Sequence, residues 1–593
     1  MGRIPFRLPE YVIEWIKDGT HVRVVEPNQS RDIQVKVNDV YTTYGYGVVI
    51  IPPGVYTMYK WVSVPSNIAL IGCGWSTLLR LADGVASATM HSIIRNSNYG
   101  VTDGNENIII AFLQVDGNKT KQSAFFIGIN MKGANDSMII GCYVHDTYAD
   151  CMGFWGAPKR CRAIGNLTKD AGPAGTGQNG IFFEGFDGTY GEDCVAADNI
   201  CIGNGHMGIY FDYIQRGTIV GNVCRGNGDD GIQVYHSLEC AISGNVCMNS
   251  DRDGIRIRDS DRITSAGNVV KGSAEHGIHC IAAHDSSING NVCSVNDGDG
   301  IYLETSSEEI SIVANTCKGN TGNLGANTGI GIHIYGAAAC TLTCNVCIEN
   351  DDRGIWIQNS QHCTIACNIC VNNSQGEVNV LQGIHLSDGG STPYCRYNTV
   401  IGNTCYDDQA TKTQRYGIEA SHSADYNIIV GNNCYINGDA TYDIVYSGSN
   451  NKVAWNLGRY VGQGSQWDGH PKVTIDTSGQ FCAIGLTVPE DYGSLVSAEL
   501  LFIAHETAAS QHLTINTFWG KVGEQRNNHT AVGTDRNLGA VTNGQIHAHD
   551  VSDLLSPLEA GDVVGFFIEY SATAVDSNVA ILGVRFRYQN KNA

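Results

Sequence analysis

A chain of 593 residues with 59 acidic and 37 basic side chains, a formal charge of −22, lacks the basic footprint that broad nucleic-acid binding or adsorption to anionic membranes requires. Only 16% of the residues are charged, and 71 are glycine against 12 proline, a balance suited to an all-β protein rich in tight turns. No run approaches the ~18–20 apolar residues of a membrane span, and the opening MGRIPFRLPEYVIEWIKDG carries no apolar stretch of signal-peptide length, so neither membrane insertion nor export by the usual route is predicted.

In chain order, Glu10 to Lys17, after Pro9, reads as a short amphipathic helix of the kind that covers the open end of a solenoid. Residues 1–40 are predicted to form this N-terminal cap or attachment segment. From 41 to 465, β-type runs alternate with Asn/Gly/Asp turns. The asparagine of a G-N-x-C unit falls at Asn199, Asn222, Asn245, Asn268, Asn291, Asn315, Asn345, Asn368, Asn403 and Asn432, a basic step of 23 residues interrupted by insertions. A Gly-Ile pair tracks it at Gly208, Gly231, Gly254, Gly277, Gly300, Gly331, Gly354, Gly383 and Gly417. Self-similarity at this period means a solenoid, and runs such as GIQVY and CAIS make it a β-solenoid.

The cysteine of each unit (Cys201, Cys224, Cys247, Cys293, Cys317, Cys347, Cys370, Cys405 and Cys434, with Val270 once) takes the place of an inward aliphatic. A second column, five residues before the asparagine, holds Cys161, Cys194, Cys240, Cys340 and Cys363. Free Cys is a small buried hydrophobe, so these thiols are predicted to be reduced core residues and not a metal site; CNVC at 344–347 and CNIC at 367–370 each combine two repeat columns. The asparagines are predicted to form a hydrogen-bonded turn ladder between rungs. From 470 to 593, longer alternating runs such as SAELLFIAHE and DVVGFFIEYSA suggest an antiparallel β-sandwich that serves trimerisation or carbohydrate binding.

The segment GYGVVIIPPGVYTMYKWVSVPSNIALIGCGWSTLLRL at 45–81, followed by NENIIIAFLQVDGNK at 105–119, resembles the opening rungs of pectate-lyase-superfamily β-helices. With the G-N-x-C repeats the resemblance covers roughly residues 40–460. It implies a right-handed parallel β-helix and leaves the reaction open, because the superfamily includes lyases, hydrolases, epimerases and phage tailspikes. With the C-terminal β-sandwich, the chain looks like a bacteriophage tailspike or capsule depolymerase. That likeness implies a homotrimer, located on a virion tail or outside the cell, acting on a polysaccharide.

Side chains alternate along a strand, so the second and fourth residues after each glycine of the Gly-Ile column point out of the solenoid. The second place reads Trp155, Phe182, Tyr210, Gln233, Arg256, His279, Tyr302, and then His333, Trp356 and His385; the fourth reads Ala157, Glu184, Asp212, Tyr235, Arg258, Ile281 and Glu304. Rows of rings suit the C–H faces of sugars, with neighbouring polar groups for the hydroxyls, and this face is predicted to line a polysaccharide groove. Glu184 and Asp212, one rung apart, are the first candidates for a glycosidase pair at ~5–9 Å. Asp229, Asp230 and Asp253 form a second acidic group, and GDDGI at 228–232 resembles the G-D-D of polygalacturonase-like glycosidases, although Asp before Gly is also an ordinary turn choice. His206 and His236 flank both groups.

Two chemistries remain open on these residues. One carboxyl protonates the glycosidic oxygen while another activates water or attacks C1. Alternatively, Arg256 and Arg258 hold a uronate carboxylate while His279 or Tyr302 removes the C5 proton, giving β-elimination or epimerisation. No cofactor is required by the first. For the second the Asp run offers oxygens to Ca²⁺, without a ligand loop of recognisable spacing. A non-catalytic glycan-binding fibre is the third alternative.

Overall fold

In this computed structural model the chain divides into two compact units, Met1–Val453 and Ala454–Ala593. Residues 8–458 are described except 87–90, 100–103, 173–177, 326–327, 389–394, 422–423, 440, 448–449 and 455, and beyond them the backbone of the strands between 460 and 590. One rung of the first unit shows its plan: Thr218–Val220, Val223–Arg225 and Ile232–Tyr235 each pair in parallel with the strand one turn on, in Ala241–Ser243, Val246–Met248 and Ile255–Asp261. Repetition builds three parallel sheets of 17, 15 and 16 strands, here the first, second and third in the order a rung enters them. The first unit is the predicted right-handed parallel β-helix.

The constant positions are interlocking parts. Ile219, Cys224, Ile232 and Val234 are fully buried or nearly so, and the cysteine column stacks in unbroken register from Cys201 to Cys434 through Val270. The glycine column is the notch into which that stack fits: a Cβ on Gly231 would lie 2.6 Å from the Gly254 carbonyl oxygen and 3.0 Å from Cys247 Sγ. Glycine and a small apolar partner therefore recur together because neither place has room for more.

At the corner between the first and second sheets a single left-handed residue turns the chain: Gly221, Gly244, Gly267 and Gly290 have φ of 67°, 62°, 63° and 61°. Ala314, Cys344 and Cys367 take the same corner at 55°. The first cysteine of CNVC and of CNIC is thus an exposed corner residue and the second a buried one.

Beside this corner runs the predicted asparagine ladder. The Asn222 N–H and Nδ2 both donate to Asn245 Oδ1 at 2.9 Å, and Asn222 Nδ2 also donates to the Ala196 carbonyl. The same bonds join Asn166 to Asn199 at one end and Asn403 to Asn432 at the other. A second ladder, not anticipated, runs at the next corner from Asn204 to Asn227 and from Asn296 through Asn320, Asn350 and Asn373 to Gln414.

The predicted helix is Glu10–Asp18, and its Val12 packs on Val48, Ala69 and Ile71 at the flank of the first sheet. The element that covers the solenoid's open end is a second helix, Ser30–Tyr44, which the sequence reading did not expect; it buries Ile33, Val37 and Val40 against strands of the opening rung. No helix among the described residues is long and apolar enough to cross a membrane. The strands from Val473 to Asn590 pair antiparallel, as expected of a sandwich. One sheet orders Val473–Ile475, Val579–Asn590, Tyr492–Ala504 and Ile546–Asp550; the other orders Phe481–Thr487, Val563–Tyr570, His512–Gly520 and Thr530–Val532.

Two substitutions test these devices. Cys344→Gly relieves a left-handed side chain and should stabilise by about 0.5–1 kcal/mol in denaturant titration. Asn245→Ala removes the bonds from the Asn222 N–H and Nδ2 and those to Ile219 O and Asn268 Oδ1. It leaves buried groups unpaired and should destabilise by about 3 kcal/mol in the same titration.

Candidate active site

The outward face of the third sheet gathers the candidate residues. Strand pairing puts Glu184 opposite Asp212 and Phe182 opposite Tyr210, as the repeat predicts, then Tyr210 opposite Gln233 and Asp212 opposite Tyr235, Gln233 opposite Arg256 and Tyr235 opposite Arg258, and Arg256, His279 and Tyr302 in sequence. Trp155 is displaced from its expected column: Gly153 pairs with Phe182, and Trp155 with Glu184. In that rung Met152 pairs with Ile181, so Cys151 holds the glycine place. Gly153 serves another purpose, since a Cβ there would sit 2.4 Å from the Phe182 ring.

The second-place column is more closed than an open aromatic ladder. Phe182, Gln233, Arg256 and His279 retain only 4%, 7%, 7% and 5% exposure. Neighbouring rungs bring rings into contact, with His279, Tyr302 and His333 stacked at centroid spacings of 5.0 and 5.0 Å and His333 on Trp356 at 4.7 Å. An open cleft remains N-terminal to that stack. One part, of about 430 Å³, is lined by Glu184, His206, Tyr210, Asp229, Gln233, Tyr235, Arg256 and Arg258 together with Asp150 and Arg252. It continues into a second, of about 480 Å³, where Tyr99, Phe125, Lys132 and Trp155 join Asp150, Phe182 and Glu184.

The carboxyls in this cleft are held away from ordinary behaviour. Burial, then the Asp212 charge, raises the Glu184 pKa. Burial likewise raises Asp212, while Tyr210 and His236 favour its charged form; His236 Nδ1 lies 3.4 Å from Asp212 Oδ1, its ring stacked on Tyr213 and tilted against Tyr235. Asp150 was not foreseen. Burial and the Glu184 charge push it up to about 7, although its Oδ1 accepts the Asn179 N–H at 2.6 Å. It occupies the place just before the strand, the place of Asp230 and Asp253 in later rungs, and the shifted glycine at 153 concealed the correspondence.

Of the second acidic group only Asp229 reaches the cleft, held by His206 Nε2 at 2.8 Å and Arg252 at 3.3 Å. Asp230 and Asp253 are fully buried and belong to a corner ladder. Asp230 Oδ1 accepts the Asp253 N–H (3.1 Å), and Asp253 Oδ1 accepts the His276 N–H (3.0 Å). Their remaining oxygens meet Gln233 Nε2 at 3.0 Å and His279 Nδ1 at 2.9 Å. Burial and the charges of Asp253 and Asp229 push Asp230 well up. Asp253 titrates low because His279, His276 and Arg256 outweigh its burial.

The basic candidates form a separate cluster. Burial opposes the charge on His279, but Asp253 and Glu304, 2.9 and 3.3 Å from its two ring nitrogens, hold its pKa up to about 9. Tyr302 is pushed up by burial and by Glu304. Asp253, His276 and His279 bring potential metal ligands within 4.8 Å of one another, and Asp253 and His279 are also hydrogen-bonded to each other at 2.9 Å.

Comparison with known proteins agrees with this architecture. Residues 113–283 match the family model described as periplasmic copper-binding protein (NosD), and residues 283–434 the model of the right-handed β-helix region. The first unit is thus a right-handed parallel β-helix. Among solved structures it is similar to the pre-mature bacteriophage phi29 gene product 12 (16% identity over 76% of this chain and 58% of that one, TM-score 0.47). It is also similar to the A-module of an Azotobacter vinelandii mannuronan C-5 epimerase (18%, 74% and 96%, 0.32) and to tailspike protein 3 of bacteriophage CBA120 (11%, 73% and 59%, 0.37). These are likenesses of fold. No curated protein matches the sequence.

The raised Asp150 pKa gives a signed expectation. A carboxyl that binds its proton more tightly when folded costs the fold nothing below the unfolded value, near 4; the cost grows as pH rises and is complete above about 7. Asp150→Asn should match the parent's thermal midpoint at pH 4 and exceed it at pH 8. Equal midpoints at both pH values would show that Asp150 ionises freely.

Proposed function

We propose that the protein is a polysaccharide depolymerase that hydrolyses glycosidic bonds of a bacterial surface or extracellular glycan. The observation that carries this reading is the register pairing of Asp212 with Glu184, which lines the open cleft, with both pKa values raised by burial. Adjacent strands are ~4.8 Å apart, which brings the two carboxyls within reach of the ~5–9 Å separations that glycosidase pairs use. Asp212, whose charged form Tyr210 and His236 favour, is the better anion. Glu184, without such neighbours, is the better proton source. Glu184 protonates the glycosidic oxygen as its bond to C1 breaks, and Asp212 attacks C1 or takes the proton from the water that does. Asp150, whose pKa is about 7, sits in the same cleft as a second proton reservoir.

The lyase or epimerase reading asks His279 to be a base at neutral pH. With a pKa of about 9 between Asp253 and Glu304 it stays protonated there, and Tyr302 is pushed further from phenolate; both facts favour the hydrolase. The setting we propose is that of a tailspike-type depolymerase, homotrimeric, on a virion tail or outside the cell. Association is supported by aliphatic side chains exposed along one face of the second sheet, Ile200, Val269, Val292 and Ile369; light scattering should return the mass of three 63.8 kDa chains.

Incubated with a panel of bacterial polysaccharides, the protein should release reducing ends without the absorbance near ~235 nm that an unsaturated uronate gives. Chelation of divalent ions should leave the rate unchanged. Glu184→Gln with Asp212→Asn should reduce cleavage by at least about 10³-fold while glycan binding persists. Ultraviolet-absorbing products would overturn the hydrolase in favour of a lyase. Retained glycan with no new ends would overturn it in favour of a binding fibre.

A further inference from the structure

The two halves of the cleft differ in chemistry on either side of the paired carboxyls. Toward the N-terminus the wall is aromatic: Phe125 is 52% exposed, and Trp155, Phe182 and Tyr210 share one apolar cluster with Ile127. The Lys132 ammonium lies on the Trp155 ring, 3.7 Å from its centroid, and keeps its charge there, so this half holds one lysine among its rings where the other holds three arginines. Flat rings of this kind bind the apolar faces of sugars and gain nothing from a negative substituent.

Toward the C-terminus the wall is cationic, in a chain whose net charge is −22. Three of its 37 basic residues, Arg252, Arg256 and Arg258, line this one half. Arg252 is tied to Asp229 and Glu275 at 3.3 Å each. Arg256 is different: the side chain is 9% exposed, its approach to Asp253 is a long 3.8 Å, and its buried Nε–H has no acceptor. A buried guanidinium donor without a partner is costly and invites an oxygen from outside. Arg258, 45% exposed and 5.1 Å over the Tyr235 ring, lines the cleft two residues further along; its Nε donates to Asp259 at 3.2 Å, which leaves its terminal nitrogens for an anion.

We propose that the cleft selects a heteropolysaccharide with an uncharged sugar on one side of the cut bond and an anionic sugar on the other. The uncharged sugar lies on the Phe125–Trp155–Phe182 wall, and the carboxylate or other anionic group of its neighbour lies on Arg256 and Arg258. The inference rests on the depolymerase reading, because Glu184 and Asp212 mark the boundary between the halves. Polymers acidic at every residue place a charge against the aromatic wall, and neutral polymers leave the Arg256 donor unpaired; both are poorer ligands for that reason.

The test uses the Glu184→Gln, Asp212→Asn chain, which retains glycan, on an array of bacterial capsular polysaccharides of known repeat, each printed also after chemical reduction of its carboxyl groups. Polymers alternating neutral and acidic sugars should be retained, and reduction should weaken them at least about tenfold. Arg258→Gln, at an exposed position that does not endanger folding, should weaken the acidic form about tenfold and leave the reduced form unchanged; Phe125→Ala should weaken both equally. Neutral polymers held as tightly, indifference to carboxyl reduction, or retention of no member of the array would each overturn the inference. A polymer that meets all these demands yet is returned uncut by the unsubstituted chain would overturn the hydrolase while the two subsites stand.

Discussion

Everything outward on this solenoid depends on one inward constraint, the carboxamide ladder at the corner between the first and second sheets. Each asparagine accepts two hydrogen bonds from the rung before it and donates to the rung after it, so neighbouring rungs are locked in register one residue at a time. A slip of one residue would turn every inward side chain outward. It would also drive a Cβ into the glycine notch, where the next rung's carbonyl stands 2.6 Å away at Gly231. With register fixed twice over, residues that are 28 positions apart in the chain, such as Glu184 and Asp212, become neighbours across one strand pairing.

Because the skeleton is periodic, most of it can be read from sequence. The Asn, Gly and Cys columns each satisfy a single steric or hydrogen-bonding demand, and a single demand leaves a single residue type. Where a demand admits several residues, the signal fades. The second corner ladder was hidden because Ser273 takes an asparagine's place and Gln414 another, bonding to Asn296 and Asn373 in the same manner. The capping helix at Ser30–Tyr44 has its apolar residues at Ile33, Val37 and Val40, correctly spaced, but separated by polar and β-branched residues in a segment read as a lead-in. Trp155 and Asp150 were misplaced or missed for one reason: the rung carries cysteine at the glycine place and glycine two residues later, so an alignment keyed on glycine moves by two.

The face that carries the candidate chemistry also shows why acidic residues of one type, in one solenoid, differ so much. Asp253 is as buried as Asp230, yet it titrates low, because His279 and Arg256 stand on its outward side; Asp230 has Gln233 there and is pushed up. The cations beside Asp253 and the carboxylates beside Asp230 thus set two equally buried groups in opposite directions. Sequence alone displays these residues but not their pairing, since the partner of Asp253 is 26 positions away.

The same contrast divides the cleft. From Asp150 to Asp212 the carboxyls lie among Asn179, Phe182 and Tyr210, and burial raises them, with His206 and His236 acting against it. Further along, His206, Arg252, Arg256 and His279 arrive, and Asp229 and Asp253 become ion-pair partners that hold those cations in place. A proton donor needs the first environment and an anion-binding wall needs the second. A uniform stack of rungs supplies both side by side by changing only the residues that its hydrogen-bonded skeleton leaves free.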